Sequence, residues 1–320
     1  MAQSNKPRLL AIVGPTASGK SALALAAAKA LGGEIISCDS MQVYRRMNIG
    51  TAKPTAEEMG GVKHHLIDVV APDVPFSVAE YVPMAQAAAE EIFSRGRMPI
   101  LCGGTGLYLD AFLRGGMEDT ASDPALRQRL FAYAEAHGAR ALHERLAAVD
   151  PESAAATHEN NVKRVVRALE IFESTGVTKT ELDRRSRQIE APYEVTVIGL
   201  RYAARELLYA RIEKRVDQML ADGLLSETKA LLEEGVFEAN TTAAQAIGYK
   251  ELLGYLRGEQ SLAEATEALK TATRRYAKRQ MTWFGAKDYI QWIDMEREGI
   301  LRPTEEILTE LLQFASEKQT

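Results

Sequence analysis

RLLAIVGPTASGKS, residues 8–21, is the stretch on which the fold turns. From Leu9 to Val13 the run is wholly apolar and lacks polar alternation, so residues 8–13 read as one strand buried on both faces, the mark of a parallel sheet. Gly14-Pro15-Thr16-Ala17-Ser18-Gly19-Lys20-Ser21 then matches G-x-x-x-x-G-K-[ST], and an Ala- and Leu-rich helix is expected from Lys20 to Leu31. Between a strand and a helix such a loop holds a di- or triphosphate. Its glycines let backbone N–H groups converge on one anionic centre, and the helix N-terminus adds partial positive charge. Lys20 supplies a mobile cation to the outer phosphate and Ser21 a hydroxyl for Mg²⁺.

Working outward, Glu34 to Cys38 forms a second strand that delivers Asp39-Ser40-Met41-Gln42, and His65 to Val69 is a third short candidate. Residues 77–96 are helical, and Met98 to Cys102 is another buried strand that runs into Gly103-Gly104-Thr105-Gly106. Strands alternating with helices predict an α/β fold with a parallel sheet and functional groups at the strand C-termini. From 122 to 187 only helical periodicity is present, with N-cap signals at Ser122-Asp123-Pro124 and Asp150-Pro151. Strand character returns at Tyr193 to Leu200, so the helical stretch is expected to be an insertion, 121–187, into a core made of 1–120 and 188–320. Helices at 203–222, 224–234 and 261–284, a strand from Tyr289 to Asp294 and a helix at 303–318 close the chain.

The 320 residues are enough for one large domain or two modest ones. A formal net charge of −5 argues against wholesale coating of nucleic acid but leaves room for a local basic face. The early apolar run is too short for a signal peptide, and no stretch approaches the roughly 20 apolar residues of a membrane helix. Cys38 and Cys102 each end an apolar run and have no metal-ligand spacing, so buried thiols in a reduced, cytoplasmic, monomeric enzyme are expected.

A nucleotide hydrolase usually ends an apolar strand in a metal-holding Asp. Here the 98–102 strand ends in Cys-Gly-Gly-Thr-Gly, and the carboxylate is Asp39, at the end of the neighbouring strand. Asp39 is either a general base or orienting acceptor beside the phosphates, or a turn-capping residue. Thr105 likewise is either a donor to phosphate or metal, or an ordinary turn residue. Residues 270–287 carry Lys270, Arg274, Arg275, Lys278, Arg279 and Lys287 with no acidic residue, interleaved with Tyr276, Trp283 and Phe284. The insertion adds Lys163, Arg164 and Arg167, then Lys179, Arg184, Arg185 and Arg187. Each region alone reads as a solvated amphipathic helix; together they favour RNA or a highly phosphorylated substrate. Arg211, Lys214 and Arg215 are either a lid that neutralises leaving phosphates or another helix face.

Several of these stretches resemble the tRNA dimethylallyltransferases: GPTASGKS at 14–21, DSMQVY at 39–44, HHLID at 64–68, GGTGLY at 103–108, RVVRALE at 164–170, QAIGYKE at 245–251 and RRYAKRQMTWF at 274–284. The likeness covers about residues 8–295. It implies a P-loop kinase-like sheet domain with a helical insertion that grips a tRNA anticodon stem-loop. It also implies transfer of a dimethylallyl group from dimethylallyl diphosphate to N6 of the adenosine just 3′ of the anticodon, in tRNAs reading codons that begin with U. The phosphate loop would then hold the prenyl diphosphate, with Lys20, Mg²⁺ and Arg215 stabilising the leaving group. The adenine would be flipped out of its stack, with Asp39 accepting from or deprotonating N6. Thr16 and Thr105 resemble residues near the diphosphate and substrate. The resemblance further implies tRNA contacts at Asp39, Ser40, Met41, Gln42, Thr105, Arg127, Lys163, Arg164, Arg167, Gln245, Arg274, Arg275, Lys278 and Arg279, with Gln42 reading the adenine edge. One departure is that Asn161-Val162-Lys163-Arg164 stands where many members have Asp-x-Gln-Arg, and a lysine binds phosphate but cannot pair with a base edge as an amide does. The rival readings are an adenylate isopentenyltransferase acting on free nucleotides, a small-molecule kinase, and a nucleotide-switched RNA-binding module. The insertion and the basic aromatic helix disfavour the first, and Asp39 the last.

Overall fold

The computed structural model describes residues 6–116 and 122–317. Six parallel strands form one sheet: β1 (Arg8–Val13), β2 (Glu34–Ser37), β3 (His64–His65), β4 (Pro99–Gly103), β5 (Glu194–Arg201) and β6 (Ile290–Asp294), in the order β3-β2-β4-β1-β5-β6. The strand that feeds the phosphate loop lies in the middle, with Val13 opposite Gly103 of β4 on one side and Gly199 of β5 on the other. The apolar run works as read. Leu9, Ala11 and Val13 enter one core cluster while Leu10 and Ile12 enter another, so both faces of the sheet are covered.

The same alternation separates the cysteines. Cys38 packs in the first cluster and Cys102 in the second; both are free, and burial pushes their thiols up to about 12 and about 11.

The third strand is shorter than the sequence suggests and begins one residue earlier. Leu66 (φ +60°) and Asp68 (φ +58°) are left-handed, which breaks the extended run from 65 to 69 that the apolar pattern predicts. Among the described residues, the eight-residue helices Gly106–Leu113 and Tyr249–Leu256, which open on or beside glycines, go unnoticed in the sequence pattern, as do the single turns Ala56–Met59 and Val236–Ala239. A small hairpin (Glu296–Arg297 with Ile300–Leu301) also escapes it.

The chain forms two compact units, one of residues up to Leu113 and from Pro192 onward, the other Arg114–Ala191. The expected 120/121 boundary and the expected helix end at 318 lie outside the described residues. The second unit carries helices Pro124–His137, Ala139–Val149, Pro151–Ala155, Val162–Thr175 and Lys179–Gln188 around Leu126, Leu130, Leu142, Leu146, Val165 and Leu169. Two of its helix starts are capped as the sequence signals: Asp123 accepts from Leu126 N (2.9 Å) and Asp150 from Ser153 N (3.1 Å). Among the described residues, no helix is long and apolar enough to cross a membrane.

Candidate active site

The phosphate loop leaves β1 at Gly14 and enters the helix Lys20–Leu31 at Gly19, whose φ of +95° favours glycine. Among the described residues, the backbone N–H groups of Ala17, Gly19, Lys20, Ser21 and Ala22 meet no protein acceptor, so the loop and the first helical turn offer their donors as a group. Lys20 curls over the loop and donates to the Pro15 carbonyl (3.2 Å). Burial, reinforced by Arg215, lowers its pKa, against the pull of Cys102 and Asp39. Arg215 comes from the helix Arg205–Ala221. Its pKa is also lowered by burial and supported by Asp39, and it makes no hydrogen bond or ion pair with the described residues. Two half-buried cations without a salt bridge to the described residues, beside five open amides, make a cavity that attracts polyanions. The cavity wall also includes Thr16, Ser21, Asp39, Gln42, Tyr276 and Gln280. Of the other two residues in the basic segment 211–215, Arg211 donates to the Ala17 carbonyl (2.8 Å) and Lys214 is exposed.

Asp39 caps its turn and also lines the cavity. Oδ1 accepts from Met41 N (2.9 Å) and Gln42 N (3.4 Å), a turn cap, while the carboxylate as a whole lines the cavity close enough to Lys20 and Arg215 to support both charges. Thr105 ties the two strand-end turns together. Its hydroxyl accepts from Ser40 N (3.1 Å) and donates to Ser40 Oγ (3.4 Å), and its own N–H donates to Cys38 O (3.2 Å). The turns can meet because Gly103 is bare: a Cβ there would stand 2.0 Å from the Cys38 carbonyl oxygen. Gln42 faces the cavity with its amide already engaged, accepting from Ser37 Oγ (3.1 Å) and donating to the carbonyls of Thr51 (3.3 Å) and Ala52 (3.2 Å).

Thr51 and Pro54, which form part of the cavity wall, belong to a segment held by residues the sequence pattern does not single out. Glu227 accepts from three successive amides, Asn48 (3.0 Å), Ile49 (2.9 Å) and Gly50 (3.1 Å), and from the Tyr249 hydroxyl (2.7 Å). Gly50 lies against the ring of Tyr249, the tyrosine of QAIGYKE, where a Cβ would be 2.4 Å from Cζ. Glu227→Ala would orphan all of these donors, and an unfolding free energy lower by about 1–3 kcal/mol is expected in urea titrations. A wild-type midpoint would show that the clamp carries no weight.

The basic residues divide by partner. Arg274 is bound to Glu213 (2.6 Å), and Arg279 lies over the Tyr276 ring (5.6 Å). Gln245 accepts from Lys250 (2.8 Å). Arg275 and Lys278 are exposed and unpaired among the described residues. In the second unit, Arg127 and Arg167 both bind the fully buried Glu170 (2.9 Å each), which also accepts from Asp123 N (2.9 Å) and Ser122 Oγ (3.2 Å). Lys163 and Arg164, on the first turn of Val162–Thr175, are exposed and unpaired among the described residues.

Comparison with known proteins places this architecture in context. The model of the IPP transferase family matches residues 42–287, and that of an isopentenyl transferase family matches residues 7–72. The chain is 50% identical to the tRNA dimethylallyltransferase of Halalkalibacterium halodurans over 91% of its own length and 92% of that protein. It is 51% identical to the corresponding protein of Geobacillus thermodenitrificans over 90% of each. Among solved structures it is similar to the tRNA isopentenylpyrophosphate transferase of Bacillus halodurans, with a TM-score of 0.71 and 45% identity over 98% of both chains. It also resembles a eukaryotic dimethylallyltransferase acting on tRNA, with a TM-score of 0.74 and 30% identity over 90% of this chain and 74% of that one.

Proposed function

The chain belongs to the IPP transferase family, and on that premise we propose that its cavity transfers a dimethylallyl group from dimethylallyl diphosphate to N6 of the tRNA adenosine 3′-adjacent to the anticodon (position 37). The observation that carries the reading is one cavity in which a polyanion cradle (Lys20, Arg215 and the open loop amides) faces a carboxylate, Asp39. A kinase reading would use the same cradle and carboxylate, and it is the family that favours prenyl transfer over it.

In the proposed step the N6 nitrogen attacks the allylic carbon, the carbon–nitrogen bond forms and the carbon–oxygen bond to diphosphate breaks. The N6 proton passes to Asp39, whose Oδ1 is anchored by the turn amides, leaving the carboxylate fixed in direction. Lys20, Arg215 and the loop amides meet the charge that grows on the leaving diphosphate. Ser21 Oγ is a hard oxygen donor on the cavity wall and would hold Mg²⁺ together with phosphate oxygens; when bound, the ion neutralises part of the diphosphate charge. Ser40, Met41 and Thr105 shape the acceptor end through the turn they share. Gln42 reads the adenine edge only by exchanging its contacts to Ser37, Thr51 and Ala52.

On the RNA side, the unpaired Arg275, Lys278, Lys163 and Arg164 are the cations best suited to phosphate contacts, and Lys163 contributes charge without base reading. Arg127, Arg167 and Arg274, held by carboxylates, contribute through the surface they shape. The two free buried thiols suit a reduced, cytoplasmic enzyme.

The test is incubation with labelled dimethylallyl diphosphate and, separately, an anticodon stem-loop or AMP. Label is expected on the stem-loop adenosine. Label on AMP alone, or phosphate transfer from ATP, would overturn the reading.

A further inference from the structure

The phosphate loop is poorly held by its own backbone. Among the described residues, Gly14–Gly19 closes one backbone hydrogen bond on itself, Ser18 N to Pro15 O (3.2 Å). A loop whose amide dipoles and Lys20 all face one point repels itself until an anion arrives, so its shape has to be imposed from outside. Three side chains do so. Arg211 donates to Ala17 O (2.8 Å), the Tyr202 hydroxyl donates to Ser18 O (3.2 Å), and Gln280 Oε1 accepts from Thr16 N (2.8 Å).

Gln280 differs from the other two. It is 5% exposed, lines the cavity, and its Nε2 donates to Gly104 O (2.9 Å) in the turn that holds Thr105. One carboxamide therefore locks the diphosphate side of the site to the strand-end turns that carry the acceptor side. Only an amide presents an acceptor and a donor on adjacent atoms; a glutamate would face the Gly104 carbonyl with a second acceptor, and an aliphatic chain would bond neither. Gly104 is matched to it. Its backbone is outside the left-handed region, so the glycine is there for space: a Cβ would stand 2.2 Å from Gln280 Nε2.

We infer that Gln280 is a positioning residue: by bridging Thr16 and Gly104 it holds the phosphate loop in its diphosphate-binding shape and in register with the acceptor turn. The inference rests on the loop being a diphosphate site, as proposed above.

The experiment compares wild type, Gln280→Met, Gly104→Ala and the double variant. Inorganic diphosphate binding is measured by calorimetry, KM for dimethylallyl diphosphate by labelling, stem-loop affinity by anisotropy, and folding by thermal midpoint. Met removes both polar groups at similar volume, while the alanine methyl, crowding Nε2, displaces the carboxamide with residue 280 still a glutamine. Each single variant is expected to weaken diphosphate binding about tenfold, with KM for the prenyl diphosphate rising in parallel, as loss of a bridging pair of hydrogen bonds implies. Stem-loop affinity should stay within about twofold, and the double variant should be no worse than the poorer single one, because both remove the same contact. Unchanged diphosphate binding in both single variants overturns the inference, as do additive losses or an equal loss of RNA affinity. If wild type binds diphosphate but does not prenylate the stem-loop, the functional reading fails while the Gln280 comparison still decides its own question.

Discussion

Asp39→Asn is expected to lower the rate of dimethylallyl transfer by about 10²–10⁴-fold while diphosphate binding holds or tightens. The opposite signs follow from the two jobs of the carboxylate. Asparagine keeps an oxygen for the Met41 and Gln42 amides, so the turn survives. It cannot take the N6 proton, so the chemical step loses its acceptor. Asp39 also supports the charges on Lys20 and Arg215, and its removal leaves the cradle more positive toward diphosphate. Asp39→Ala is the less informative variant, because it also removes the cap, at a further cost of about 1 kcal/mol in stability. Single-turnover rates with labelled prenyl diphosphate, alongside calorimetry with inorganic diphosphate, separate the effects. Turnover within a few fold of wild type would remove Asp39 from the chemistry.

The second large effect is expected at Lys20, with activity and stability again moving apart. Lys20→Met should weaken diphosphate binding about 10²–10³-fold, in line with truncating one partner of a buried charge contact. Without diphosphate the same variant should melt at or above the wild-type temperature, because burial penalises the lysine charge. Its pKa in the folded protein lies below the ordinary 10.5, so the folded state releases that proton before the unfolded state does. The group's contribution to stability therefore rises with pH between the lowered value and 10.5, and diphosphate, by favouring the charged form, opposes that rise. Thermal midpoints of wild type and variant across this alkaline window, with and without inorganic diphosphate, are the measurement. A variant that melts lower without diphosphate, or gains as much stability from it as the wild type at the same concentration, would contradict the account.

Charge composition along 270–287 identifies a basic helix but not its free cations. Arg274 and Arg275 are adjacent in sequence, yet one is bound to Glu213 and the other faces solvent. Helical spacing sets Lys214 apart from the pair Arg211 and Arg215, but does not say that Arg211 holds the loop backbone while Arg215 enters the cavity. The turn residue and the catalytic candidate at Asp39 looked like rival readings; one oxygen serves the turn and the carboxylate still lines the cavity. Gly50 and Gly104 make room for Tyr249 and Gln280, a use that no local spacing shows.

What the sequence by itself determined is whatever short-range spacing dictates: the buried strand at 8–13, the phosphate loop at 14–21 and the strand end that presents Asp39. The groups that make the loop lie within eight consecutive residues, so backbone geometry alone aims them at one centre. The tertiary structure alone decided which distant side chains complete the site. Gln280 reaches Thr16 across 264 residues of chain and Glu227 reaches Ile49 across 178. Contacts at that separation arise from packing helices on a sheet, and no local periodicity encodes which glutamine or glutamate will arrive there.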